Sequence, residues 1–177
     1  MPTPSRSALN PVLFSSATDE WPTPQWLYTA LDREFGFTLD PCATPANAKC
    51  RHFFTRELDG LAQDWSQHTV FMNPPYGRAI GLWVEKAYKT HLEGATVVAL
   101  LPSRTDARWW HNYVMKGEIR FIRGRVTFEG GKYPAPFPSA IVVFRRPGPV
   151  MVSVSAKEAN HATIGALTHS ARDTQVL

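Results

Sequence analysis

Residues 70–77 read Val70-Phe71-Met72-Asn73-Pro74-Pro75-Tyr76-Gly77. Three apolar residues run straight into an amide followed by two prolines. The pattern predicts a buried strand that delivers a rigid polar loop at its C-terminal end. Within four residues that loop offers an amide oxygen, a carbonyl ahead of a second proline, and an aromatic face. Locked proline torsions hold these groups in fixed relation. Such a set suits a flat molecule carrying an exocyclic amine.

The chemistry needs each part. A conjugated amine such as that of adenine is a poor nucleophile, because its lone pair is delocalised into the ring. Two acceptors set against its two N–H bonds pull the nitrogen toward tetrahedral geometry and release the lone pair. The Asn73 side-chain oxygen and the Pro74 carbonyl are candidates for that pair, with Pro75 completing the rigid loop. Tyr76 is the candidate to stack on a base taken out of a duplex. No strong general base is then required, since positioning and electrostatics carry the reaction.

Reading outward, strands alternate with helices. Upstream, Thr23 is expected to cap a helix that starts at Pro24 and ends at Gly36, with Trp26, Leu27, Ala30, Leu31 and Phe35 as its apolar stripe. A short strand over residues 37–39 runs into Asp40-Pro41-Cys42-Ala43, and another lies near Phe53. Downstream, a helix over 79–92 turns Trp83, Ala87 and Leu92 inward. The apolar run 95–101 reads as a central parallel strand. A helix near 105–115 and strands over 118–128 and 140–144 complete the series, with a Gly/Pro-rich loop between the last two. This order predicts a three-layer α/β sheet with trimmed helices between its early strands. The loops 40–43 and 73–76 should then share one edge of the sheet. Residues 1–18 read as a loose leader, 19–146 as one catalytic domain, and 147–177 as a poorly ordered tail.

Composition narrows the function. The 177 residues are 44% hydrophobic, enough for one core. No apolar stretch approaches the ~20 residues of a membrane span, and the N-terminus lacks a signal-peptide pattern, which points to the cytoplasm. Two cysteines, Cys42 and Cys50, and six unpaired histidines give no metal-ligand spacing, so no metal is expected. The net charge is only +4, but residues 102–146 hold nine Lys/Arg against three Asp/Glu, whereas residues 1–101 hold eight against ten. In the basic part Arg104, Arg108, Arg120, Arg123, Arg125 and Lys132 alternate with Trp109, Trp110, Tyr113 and Phe121. That mixture is expected of a nucleic-acid face.

Taken in order, these motifs resemble the S-adenosylmethionine-dependent amino-methyltransferases. They are most similar to the small phage-type (Dam-like) DNA N6-adenine methyltransferases. The resemblance spans about residues 19–146. It rests on Trp21-Pro22-Thr23-Pro24, Leu39-Asp40-Pro41-Cys42-Ala43, Asp64-Trp65, Asn73-Pro74-Pro75-Tyr76, Leu101-Pro102-Ser103-Arg104-Thr105-Asp106, Gly124-Arg125-Val126-Thr127-Phe128 and Pro138-Ser139. It implies a single-domain Rossmann-like fold, S-adenosylmethionine as cofactor, duplex DNA as partner, and a phage or prophage origin in a bacterial host. It also implies catalytic roles for Asn73, Pro74, Pro75 and Tyr76. Thr23 and Pro24 resemble the segment that touches the methionine end of the cofactor. Asp40, Pro41 and Cys42 resemble the acidic strand-end loop, and Asp64 an acidic partner for the cofactor's adenine amine. Arg104, Arg108, Arg123, Arg125 and Lys132 are the expected DNA contacts, one of them reading guanine and the rest phosphates.

One departure stands out. Related enzymes often continue the acidic loop into a Gly-x-Gly turn, and this chain has no glycine from 40 to 59. The cofactor is therefore expected to meet this loop through other contacts. Cytosine N4, an RNA base or a protein glutamine also present a conjugated amine, and an inactive binding module keeps the same fold. Monomer and dimer are equally open.

Overall fold

The strand expected at 70–72 is β3 (Thr69–Met72), set inside a six-stranded sheet. The structure, a computed structural model, describes residues 20–145, so the expected leader (1–18) and tail (147–177) lie outside the described residues. The other strands are β1 (Leu39–Asp40), β2 (His52–Phe53), β4 (Thr96–Pro102), β5 (Glu118–Phe121) and β6 (Ser139–Phe144). Side by side they run β2-β1-β3-β4-β6-β5. The pairs from β2 to β4 are parallel, and β6 lies antiparallel to both β4 and β5, so β6 alone is reversed. The helices are α1 (Gln25–Phe35), α2 (Ile80–Leu92) and α3 (Arg108–Asn112), with a single 3-10 turn at Val114–Lys116.

Consecutive strand residues point to opposite faces of a sheet. Phe144 meets the Tyr88 ring of α2 at 6.0 Å, while the next residue, Arg145, lies 5.7 Å from the Phe35 ring of α1. On β3, Phe71 packs edge-on against Tyr28 of α1 at 5.2 Å. So α1 and α2 cover opposite faces. Strand β4 is buried from Val97 to Pro102 because both faces are roofed, which is why its sequence is a continuous apolar run.

Four expectations are corrected. In α1, Trp26 and Ala30 face outward and Tyr28 joins Leu27 and Leu31 in the buried stripe, since Phe37 and Phe71 offer its ring an apolar seat. Pro24 is the N-cap of α1 rather than its first residue, with extended torsions (φ −61°, ψ 137°), and the Thr23 hydroxyl does not cap it. Gly36 ends the helix as expected, at φ 66°, donating its N–H to the Asp32 carbonyl. On α2, Leu92 is exposed and Ile80, Val84 and Thr90 are buried with Trp83 and Ala87. The helix near 105–115 shrinks to α3, and β5 stops at Phe121. Beyond it Gly124 adopts φ 87° and leads a folded loop that returns to the sheet at Ser139.

This topology fixes where a ligand can sit. From β1 the chain goes to β2 on one side and then to β3 on the other. The crevice beyond the C-terminal ends of β1 and β3 is therefore the switch point at which α/β sheets bind ligands.

Candidate active site

The loops leaving β1 and β3 wall a cavity of about 620 Å³, within the usual range for a cofactor-sized site. Asp40, Pro41 and Cys42 line one side, Asn73, Pro74 and Pro75 the other, and Thr23 borders it from the segment ahead of α1. The two strand-end loops do share one edge of the sheet. Register explains it, because Leu39 pairs with Val70 in parallel and both strands expire within three residues of that pair.

Asp40 is 5% exposed. Its carboxylate accepts the backbone N–H groups of Lys49 (3.1 Å) and Cys42 (3.4 Å). Burial pushes its pKa up to about 6, against the pull of these N–H groups and the Lys49 charge. The Lys49 ammonium, also at the cavity wall, is held by Glu129 at 2.9 Å and Gln25 at 3.2 Å. Cys42 carries a thiol whose pKa burial raises, and its sulfur receives the backbone N–H of Asn73. The two loops are thus stitched together.

The Asn73 side chain is anchored by its nitrogen. Nδ2 donates to the Trp21 carbonyl at 2.6 Å and to the Thr23 hydroxyl oxygen at 2.9 Å. A carbonyl only accepts, so this partner decides which end of the amide is nitrogen. The other end, Oδ1, is buried and has no hydrogen-bond donor among the described residues. The Pro74 carbonyl likewise receives no donor among the described residues. Two acceptors on consecutive residues are thus left without a donor among the described residues, and the two N–H bonds of one amine need two acceptors.

Tyr76 does not offer an open face. It is 3% exposed, its hydroxyl donates to the Leu100 carbonyl at 3.1 Å, and its ring meets Phe128 and Phe137 edge-on. The expected stacking platform is instead a buried pillar under the loop. The Arg104 guanidinium braces the same turn by donating to the Tyr76 carbonyl at 3.2 Å.

Asp64 and Pro24 do not reach the cavity. Asp64 lies in a separate shallow depression beside Trp65, and its carboxylate accepts the Ser66 N–H (2.8 Å) and hydroxyl (3.1 Å), closing a local turn. The carbonyl of Pro24 begins the hydrogen bonding of α1. Sequence reasoning missed Lys49, Asp59, Gly60 and Trp83, all of which border the cavity. Gly60 stands so close to the first loop that a Cβ there would lie 1.9 Å from the Pro41 carbonyl oxygen. The glycine that the loop after β1 lacks is supplied from another segment. The dipeptide Asp59-Gly60, with Asp59 at φ 46°, was the available signal.

On the basic part, Arg104, Arg108, Arg123, Arg125 and Lys132 are exposed. Arg120 is not at DNA's disposal: its guanidinium makes a bidentate pair with Glu34 (2.6 and 2.7 Å) and a third bond to Glu118 (2.6 Å). The loop between β5 and β6 is tied to the cavity rim, because the Glu129 N–H donates to the Pro22 carbonyl and its carboxylate holds Lys49. Among the described residues no helix is long and apolar enough to cross a membrane, and no three His, Cys, Asp or Glu side chains cluster to hold a metal.

Comparison with known proteins agrees with this geometry. The chain is 38% identical over 65 residues to a putative methyltransferase, YfdM, of Escherichia coli strain K12, covering 33% of this chain and 71% of that protein. Residues 12–165 match the DNA N-6-adenine-methyltransferase (Dam) family. With residues 12–165 matched, the chain belongs to the Dam family of DNA adenine-N6 methyltransferases.

Proposed function

We propose that the enzyme moves the methyl group of S-adenosylmethionine to N6 of an adenine flipped from duplex DNA, and that the cavity between β1 and β3 is the place of transfer. The observation that carries this reading is the anchored Asn73 amide with its buried, donorless Oδ1. Oδ1 and the Pro74 carbonyl accept the two N–H bonds of the amine and localise its lone pair. As the N–C bond forms, the amine gains positive charge, which the same two oxygens stabilise. The surplus proton then leaves to water, since neither acceptor is a base of useful strength.

The cavity suits the cofactor in size and in donor set. Asp40, Pro41 and Cys42 line it, and Thr23 borders it with its hydroxyl engaged by Asn73. Asp40 is an ionised acceptor above pH 6 for hydroxyl or ammonium groups. S-adenosylmethionine, when bound, supplies a methyl group activated by the adjoining sulfonium. Pro24 and Asp64 have no part in this arrangement, and Tyr76 supports the loop instead of stacking on the base. The fold is read as a Rossmann-like methyltransferase domain over residues 19–146. Arg108, Arg123, Arg125 and Lys132 face DNA, and Arg104 braces the loop. DNA as substrate supports a cytoplasmic location, and the phage-type resemblance supports a phage or prophage origin.

Asn73→Ala tests the reading. It should lower methyl transfer to plasmid DNA by roughly 10²- to 10³-fold, the scale of losing one preorganised charge-stabilising group. Binding of DNA and cofactor should stay within a few-fold. Substantial methylation by this variant would sink the mechanism.

A further inference from the structure

We propose that Thr23 is a positioning residue for Asn73: its hydroxyl oxygen, together with the Trp21 carbonyl, sets the amide so that Oδ1 points at the target amine. The inference rests on the reading of Asn73 given above. The segment Trp21-Pro22-Thr23-Pro24 explains how the arrangement arises. Prolines at 22 and 24 have no N–H, so the segment faces its neighbours mainly with acceptors. The Pro22 carbonyl takes the Glu129 N–H, and the Pro24 carbonyl starts α1. That leaves the Trp21 carbonyl and the Thr23 oxygen for Asn73, at 2.6 and 2.9 Å. An amide facing two acceptors turns its NH2 toward them and its oxygen away. Thr23 is 4% exposed, forms no helix cap, and has Asn73 as its hydrogen-bond partner. Its burial is thus spent on orienting one side chain.

Removing that hydroxyl leaves Nδ2 with the Trp21 carbonyl alone. The amide then gains rotational freedom, and Oδ1 is no longer confined to one direction. A misplacement of this kind acts on the rate more than on affinity.

The test compares Thr23→Val, Thr23→Ser, Asn73→Ala and the Thr23→Val/Asn73→Ala double variant of the full chain. The readouts are kcat with labelled S-adenosylmethionine on unmethylated plasmid DNA, separate dissociation constants for cofactor and DNA, and melting temperature. Thr23→Val should lose roughly 10- to 100-fold in kcat, with both dissociation constants within about threefold of wild type. Thr23→Ser should restore kcat to within about threefold, because the hydroxyl is kept. Adding Thr23→Val to Asn73→Ala should cost nothing further in kcat, as expected of residues acting as one unit. If Thr23→Val does not fold, Thr23→Cys, of similar size with a weak acceptor, takes its place with the same expectation. An inactive Asn73→Ala beside a Thr23→Val of wild-type kcat overturns the positioning role and leaves the Asn73 reading intact. A loss confined to cofactor affinity also overturns it. An active Asn73→Ala overturns the reading beneath it.

Discussion

The loops after β1 and β3 each open with a short polar side chain and a proline, Asp40-Pro41 and Asn73-Pro74, yet their hydrogen bonds are distributed oppositely. Asp40 has a backbone N–H on each carboxylate oxygen and is still held at a pKa near 6 by burial. Asn73 has two acceptors on its nitrogen and, among the described residues, no donor on its oxygen. The first loop thus stores a charge that the fold tolerates at a cost. The second stores an acceptor that the fold leaves unpaired. A buried charge and a buried unpaired acceptor are both destabilising, and both residues line the same cavity.

The sharpest way to break the comparison is to move one loop without the other. Gly60→Ala places a Cβ 1.9 Å from the Pro41 carbonyl oxygen, a backbone atom that cannot swing aside. The Asp40 loop must shift, so cofactor affinity should fall by at least roughly tenfold, the scale of one displaced polar contact. DNA affinity should hold. Calorimetric titration with S-adenosylmethionine checks the first and a gel-shift assay the second. Unchanged cofactor binding would show that the first loop does not hold the cofactor.

Asp40→Asn separates charge from shape. A carboxyl with a raised folded-state pKa binds its proton more tightly when folded, so its ionisation lowers stability as pH rises from about 4 to about 6. At pH 7 that cost is about 3 kcal/mol, from the two-unit shift. The variant also loses an acceptor for one of the two backbone N–H groups, at every pH, so the test is a difference: its melting temperature relative to wild type should be higher at pH 7 than at pH 4. It should bind cofactor more weakly at pH 7, and its affinity should not rise through pH 6 as that of the wild type does. Parallel melts and titrations at four pH values decide it.

How far this contrast was legible in the chain follows from what each loop depends on. The strand-proline boundaries at 40 and 73 are local, so both loops and their shared edge could be read directly. The roles of Thr23 and Gly60 depend on contacts across some fifty and twenty residues, and nothing in their own neighbours announces them. Asp64 misled because an acidic residue before Trp65 looks the same whether it binds a ligand or closes a turn onto Ser66. Tyr76 misled differently. An aromatic beside a polar loop suggests an exposed platform, but Phe128 and Phe137 arrive from about fifty and sixty residues away to bury it. Tyr76→Phe should accordingly act on stability, with about 1 to 2 kcal/mol lost as the Leu100 carbonyl goes unpaired. Its kcat should stay within a few-fold of wild type. Denaturant melts and single-turnover rates measure the two.

On the basic part, arginines that look alike in sequence have different partners, and the smallest effect of all is expected at Arg120. Arg123 and Arg125 stand exposed at the start of the loop between β5 and β6, whereas Arg120 is locked to Glu34 and Glu118. Replacing both Arg123 and Arg125 by alanine should lower the slope of log affinity against log salt by about 1.8, since each lost phosphate contact removes about 0.9. Affinity for plasmid-derived duplex at low salt should fall by roughly tenfold. Arg120→Ala should leave slope and affinity alone and cost under about 1 kcal/mol of stability, because its pairs are solvent-exposed. An Arg120→Ala slope that falls by the same ~0.9 per contact would mean that its ion pairs open on DNA. The fixed positive charge would then extend across β5 rather than stop at the loop.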